Sequence, residues 1–117
     1  MKVGVIGCGF FAQNHLHAWR DIDGVDVVAL CDNDRSNLVA TGKEFKIKRQ
    51  FTDAIELFDY GDFDIVDIAT TAPSHRSLVE MAAQNTKHII CQKPFAESIK
   101  DARAMVHAVE ATGKTLM

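Results

Sequence analysis

Six residues near the N-terminus, Gly7-Cys8-Gly9-Phe10-Phe11-Ala12, carry the first chemistry legible in this chain. They fit a pattern of two spaced glycines and a third small residue, set between a β-branched run and a helical one. In that context the first glycine permits a tight turn and the second lets backbone approach a pyrophosphate. Ala12, as the small third residue, lets helix and strand pack closely. Phosphates would sit at the helix N-terminus, where unpaired N–H groups and the helix dipole favour negative charge. Phe10 and Phe11 either cover the pyrophosphate or fill space. On glycine content alone, the loop also suits a strand-to-helix turn that binds nothing. Asp32 lies 20 residues beyond Ala12, at the end of the next apolar run. A carboxylate there can accept hydrogen bonds from ribose hydroxyls and repels a 2′-phosphate, which favours NAD over NADP. Asn33 and Arg35 belong to the same expected contact region, and Arg35 leaves NADP open. The competing reading is a solvated turn carboxylate in Asp32-Asn33-Asp34.

The elements that must position these groups alternate between short apolar runs and longer stretches of helical periodicity, the pattern of a parallel sheet with crossover helices. Strands are expected at Lys2 to Ile6, Val25 to Cys31, Ile47 to Phe51, Asp64 to Ala69 and His88 to Cys91. Helices are expected at Phe11 to Arg20, Arg35 to Phe45, Asp53 to Phe58 and Ser74 to Gln84, with a last one capped by Ser98 and stopped by Gly113. Thr52 is the expected cap of the third helix and Asn85 the expected stop of the fourth. Leu38, Val39 and Phe45 should be the apolar members of the second helix. Leu78, Val79, Met81 and Ala82 should face inward from the fourth, and Ala102, Met105, Val106 and Val109 from the fifth. Lys114 to Met117 begins an incomplete sixth strand, so an N-terminal piece of a longer protein is expected. The fold class is α/β, a doubly wound parallel sheet of Rossmann type with helices on both faces, over residues 1–117.

With 117 residues, 13 Lys and Arg against 16 Asp and Glu, a net charge of −3 and 47% hydrophobic residues, the chain has the composition of one ordinary domain. No basic cluster marks a nucleic-acid or acidic-membrane surface. No apolar run reaches the roughly 18 residues of a membrane span. Cys8, Cys31 and Cys91 are odd in number and far apart, which fits a reduced, cytoplasmic compartment. They read as small buried hydrophobes, and no metal site is expected. His15 and His17, two apart on a helix, point in different directions and make a poor metal pair. Both read as structural, with His15 close enough to the loop to approach the phosphates. Trp19 reads as helix-to-sheet packing.

Two more segments follow predicted strands: Ala69-Thr70-Thr71-Ala72-Pro73-Ser74-His75 and Cys91-Gln92-Lys93-Pro94. Together with the glycine loop and Asp32, they resemble the N-terminal domain of the Gfo/Idh/MocA oxidoreductases, the family of glucose-fructose oxidoreductase and inositol dehydrogenase. The likeness spans essentially the whole chain. It implies a domain binding NAD(P), followed in family members by a larger sheet domain that binds a sugar, polyol or related hydroxyl compound. The resemblance places Thr70, Thr71, Ala72 and His75 near the nicotinamide end. It matches Gln92-Lys93-Pro94 to the family's Glu-Lys-Pro, with Lys93 beside the substrate, placing the reacting hydroxyl and aiding proton transfer. Gln92 keeps the length and an acceptor oxygen of glutamate but loses its charge. On residue type alone, Lys93 reads as a solvated loop lysine and His75 as a first-turn helix histidine bonded to backbone. The expected function is hydride transfer between nicotinamide and a secondary alcohol, with little turnover by these residues alone. A non-catalytic dinucleotide-binding or regulatory module is the alternative. Oligomeric state stays open.

Overall fold

Lys2–Ile6 forms the central strand β1, whose alternating side chains divide the molecule into two cores. Val3 and Val5 are fully buried on one face, and Ile6 is buried on the other. The computed structural model describes residues 1–117. After β1 come α1 (Phe10–Arg20), β2 (Asp26–Cys31), α2 (Arg35–Phe45), β3 (Arg49–Phe51) and α3 (Ala54–Tyr60). The second half contains β4 (Ile65–Ile68), a short 3-10 turn (Ala72–Ser74), α4 (His75–Gln84), β5 (His88–Cys91) and α5 (Ile99–Glu110).

The five strands pair in parallel in the order β3-β2-β1-β4-β5. Parallel pairing requires each connection to cross a face of the sheet, and the helices make those crossings. Leu16 of α1 and Leu38 of α2 pack with Val3, Val5 and Leu30 on one face. Leu57 of α3, Val79 and Ala82 of α4, and Met105 and Val109 of α5 pack with Ile6, Val66, Ile68 and Ile89 on the other. Burial of one such leucine stabilises the fold by about 2 kcal/mol. The chain reverses direction across the sheet between β3 and β4, so α1 and α4 leave neighbouring strands toward opposite faces. Their loops diverge above β1 and β4 and open a crevice at the carboxyl edge.

Several local expectations are corrected. Asp53, rather than Thr52, caps α3, its carboxylate accepting the Ile55 N–H at 2.9 Å. Asp is the better acceptor at this position. Val39 and Val106 lie on the outer side of their helices, 52% and 39% exposed. The fourth helix begins at His75, because Pro73 and Ser74 belong to the preceding 3-10 turn. The fifth ends at Glu110, before the turn that contains Gly113. The sixth strand is reduced to one parallel bridge, Leu116 to Ile89, with Met117 N–H donating to the Ile89 carbonyl at 2.9 Å. Asn85 stops α4 and Ser98 caps α5 as expected, the Ser98 hydroxyl accepting the Asp101 N–H at 3.1 Å. No helix is long and apolar enough to cross a membrane.

Candidate functional site

A cleft of about 520 Å³ occupies the crevice beyond β1, β2 and β4, lined by residues of the glycine loop, the Asp32 turn and the Thr70 loop. Its floor depends on Gly7, whose φ of +105° belongs to the region that side chains disfavour. A Cβ at Gly7 would lie 2.8 Å from the Ala69 carbonyl oxygen, so the ends of β1 and β4 approach only because none is present. Gly9 serves differently. Its φ is −82°, open to any residue, and a Cβ there would meet no atom within 4 Å. Gly9 caps α1 without a side-chain hydrogen bond, and the first turn of α1 holds no acidic residue. The helix therefore presents its positive end with no acidic side chain of its own first turn, over backbone that a phosphate can approach.

Ala12 is fully buried, where the close packing of α1 on the sheet requires a small residue. Phe10 and Phe11, 82% and 56% exposed, meet edge to face at 5.6 Å along the cleft. They do not fill interior space. Asp32 ties two segments together: one oxygen accepts the Cys8 N–H at 2.7 Å and the other the Asp34 N–H at 2.8 Å. A carboxylate offers about four lone-pair positions, so two remain for hydroxyl donors. Asn33 lines the cleft, whereas Arg35, exposed at the start of α2, does not. Thr52, Ala54, Ser74, Ser77 and Leu78 also line it and were not anticipated. The rule that placed Asp32 at a strand end applies equally to Thr52, which follows Phe51 at the end of β3.

Thr70 and Thr71 stand on the opposite wall, where the hydroxyls of Thr70 and Ser74 are 2.6 Å apart and Ser74 Oγ donates to the Thr71 carbonyl at 2.9 Å. Ala72 opens the 3-10 turn beside them. His75 is fully buried behind this wall and not on it. Its Nε2 lies 2.9 Å from the Thr70 carbonyl oxygen and its Nδ1 3.0 Å from that of Phe95, so the ring joins the Thr70 loop to the turn after β5. In that turn Gln92 N–H donates to the Ile68 carbonyl at 2.9 Å, and Gln92 Oε1 accepts the Lys93 N–H at 2.8 Å. Lys93 and Pro94 are exposed, joined by a cis peptide bond. They extend the carboxyl edge past the cleft wall.

His15 is not at the glycine loop's phosphate-facing side. Its Nδ1 lies 2.9 Å from both oxygens of Asp67 on β4, and its Nε2 faces the Gln92 amide. Trp19 packs on the sheet as expected, but its indole N–H also donates to Asp67 at 2.7 Å. Burial pushes the thiols of Cys8, Cys31 and Cys91 up to about 12, helped at Cys8 by the charge of Asp32 and at Cys91 by that of Asp67. Cys31 is raised further by its proximity to Cys8 and Asp32. The three side chains are thiols at neutral pH.

The family described as "Oxidoreductase family, NAD-binding Rossmann fold", Gfo/Idh/MocA, matches residues 1–117. The chain belongs to the Gfo/Idh/MocA family. Among curated Gfo/Idh/MocA proteins, a D-apiose dehydrogenase of Paraburkholderia graminis is 60% identical over 116 residues, covering 99% of this chain and 31% of its own. One of Rhizobium rhizogenes is 52% identical, covering the whole chain and 34% of its own. Among solved structures, an oxidoreductase from Agrobacterium radiobacter in complex with NAD+, L-tartaric acid and magnesium superposes with a TM-score of 0.98 at 52% identity. It matches all of this chain over 34% of its own. The chain thus spans about a third of the length of the relatives it matches. It is an NAD-binding Rossmann domain of a dehydrogenase family.

Proposed function

We propose that this chain is the cofactor-binding part of an NAD-dependent dehydrogenase that oxidises a secondary alcohol of a sugar or polyol, the substrate being held mainly by a further domain. The observation that carries this reading is the alignment along one sheet edge of Gly9's open backbone, the Asp32 carboxylate with two free lone-pair positions, and the Lys93 turn. The two apiose dehydrogenases support a sugar-like substrate.

In this reading the Gly7 to Ala12 loop holds the phosphates through backbone N–H groups, flanked by Phe10 and Phe11. Asp32 and Asn33 bind the adenosine ribose, and the Asp32 charge selects against a 2′-phosphate. Arg35 lies outside the cleft and does not offset that charge. Thr70, Thr71 and Ala72 flank the nicotinamide end, with His75 holding their loop from behind. Gln92 and Pro94 shape the turn that presents Lys93, whose side-chain nitrogen orients the substrate hydroxyl and, as the neutral amine, takes up the proton released when the hydride leaves. When bound, the dinucleotide supplies the hydride acceptor. Positioning of two reactants is worth about 7–11 kcal/mol of barrier, so these 117 residues alone bind cofactor and turn over negligibly.

Calorimetric titration of the purified chain with NADH and NADPH tests the proposal. Saturable NADH binding, weaker NADPH binding and at least a tenfold loss of NADH affinity in Asp32→Ala are expected. Absence of binding by a folded sample would overturn the cofactor site, and tighter NADPH binding would overturn the preference.

A further inference from the structure

A buried polar arrangement outside the cleft runs from β4 to the backbone of Lys93. Asp67 is 1% exposed, on the sheet face covered by α1. It accepts from Trp19 Nε1–H at 2.7 Å and from His15 Nδ1–H at 2.9 Å. Indole can only donate, so both α1 side chains point N–H groups at one carboxylate. The opposite nitrogen of the His15 ring lies 3.3 Å from Gln92 Nε2, and Gln92 Oε1 accepts the Lys93 N–H at 2.8 Å. Four side chains from three segments thus end on the peptide of the residue assigned to the substrate.

The donor inventory determines how this chain of bonds can be occupied. An amide presents an oxygen on one side and N–H donors on the other. With Oε1 committed to the Lys93 N–H, Gln92 turns donors toward His15, and His15 Nε2 must be a lone pair. Nδ1 carries the proton, toward Asp67. A protonated ring would put N–H against N–H. Turning the amide round would relieve that contact and place the amide N–H against the Lys93 N–H instead. One bond is lost either way. The groups that face the ring are Asp67 from β4 and Gln92 from the turn, with Trp19 sharing Asp67 from the ring's own helix.

We propose that Asp67, His15 and Gln92 form a positioning relay in which a neutral His15 ring, proton on Nδ1, locks the Gln92 amide and through it the Lys93 backbone. Lys93's assigned role comes from the proposed function, but the relay itself can be read without cofactor. A carboxylate at position 92 would accept from both sides and so favour the charged ring.

The experiment is nitrogen-15 NMR of the imidazoles in the cofactor-free chain at pH 7.5, with His15 assigned by comparison with His15→Asn. The wild-type ring should show the neutral form protonated at Nδ1, and Gln92→Glu should show the imidazolium. In Gln92→Ala the Lys93 amide should exchange with solvent at least tenfold faster. A wild-type ring protonated at Nε2 or at both nitrogens, an unchanged ring in Gln92→Glu, or unchanged Lys93 exchange in Gln92→Ala would each overturn the relay. Failure of NADH to bind would leave these signals intact and would count against the proposed function only.

Discussion

The two loop glycines make opposite predictions. Gly7→Ala places a methyl group at φ +105°, a conformation that costs an ordinary residue about 1–3 kcal/mol. The new Cβ would also stand 2.8 Å from the Ala69 carbonyl oxygen. The Ala69 N–H is bonded to the Ile6 carbonyl at 2.8 Å, which ties this residue to the end of β1. Overpacking of this kind adds about 1–3 kcal/mol, giving a total of about 2–6 kcal/mol. At about 4 °C per kcal/mol for a domain of this size, the melting temperature should fall by about 8–24 °C. Gly9→Ala has an ordinary φ and open space around the new methyl, so its stability should stay within about 1 kcal/mol of wild type. In the proposed site its methyl would stand where the pyrophosphate approaches the backbone, so NADH affinity should drop at least tenfold, about 1.4 kcal/mol. Thermal denaturation by circular dichroism and NADH calorimetry on both variants separate the effects. Gly7→Ala melting within 3 °C of wild type, about 1 kcal/mol or less, would refute the packing argument. A stable Gly9→Ala that binds NADH normally would refute the phosphate site.

His75→Ala removes a fully buried ring whose two nitrogens lie within hydrogen-bond distance of the Thr70 and Phe95 carbonyls, so a loss of about 2–4 kcal/mol is expected in urea denaturation. A loss under 1 kcal/mol would show that the ring does not hold the two loops together. The buried thiols predict an alkaline limit. Their pKa values are raised from 9.0 to about 12, so between those pH values the unfolded chain ionises them and the folded chain does not. Their contribution to stability is complete below pH 9 and declines as pH rises toward 12. Cys8→Ala/Cys31→Ala should therefore lose less melting temperature between pH 8 and 10.5 than wild type does, and equal losses would rule the mechanism out.

What could be read from the sequence follows from which interactions are local. The glycine loop, Asp32 and the caps at Asn85 and Ser98 depend on residues within a few positions of one another, or on a strand-to-strand spacing that a βαβ unit imposes. The sixth element was expected from Lys114 to Met117, but its position beside β5, where only Leu116 pairs, was not read from the sequence. Asp67 was unreadable, because in the run Asp64 to Ala69 a single acidic residue looks like an interruption of a strand. Only the tertiary fold brings Trp19 and His15, 48 and 52 residues away, to satisfy it. His75 was open to two readings, near the nicotinamide end by resemblance and bonded to nearby backbone on residue type alone, and the structure shows the backbone contacts of the second. Val39 and Val106 fit a helical stripe by count yet fall at its outer margin, where hydrophobic side chains are common on any surface.

The double attachment of Asp32 bears on any attempt to redesign cofactor choice. Substituting a small or basic residue to admit a 2′-phosphate looks like an edit at the rim of the site. In this chain the same carboxylate receives the N–H of Cys8 inside the glycine loop. Removing it strips the glycine loop, which the proposed site sets under the pyrophosphate, of that anchor. A successful swap must therefore supply a new acceptor for the Cys8 N–H along with its new cation. A library varying position 32 alone searches the wrong space.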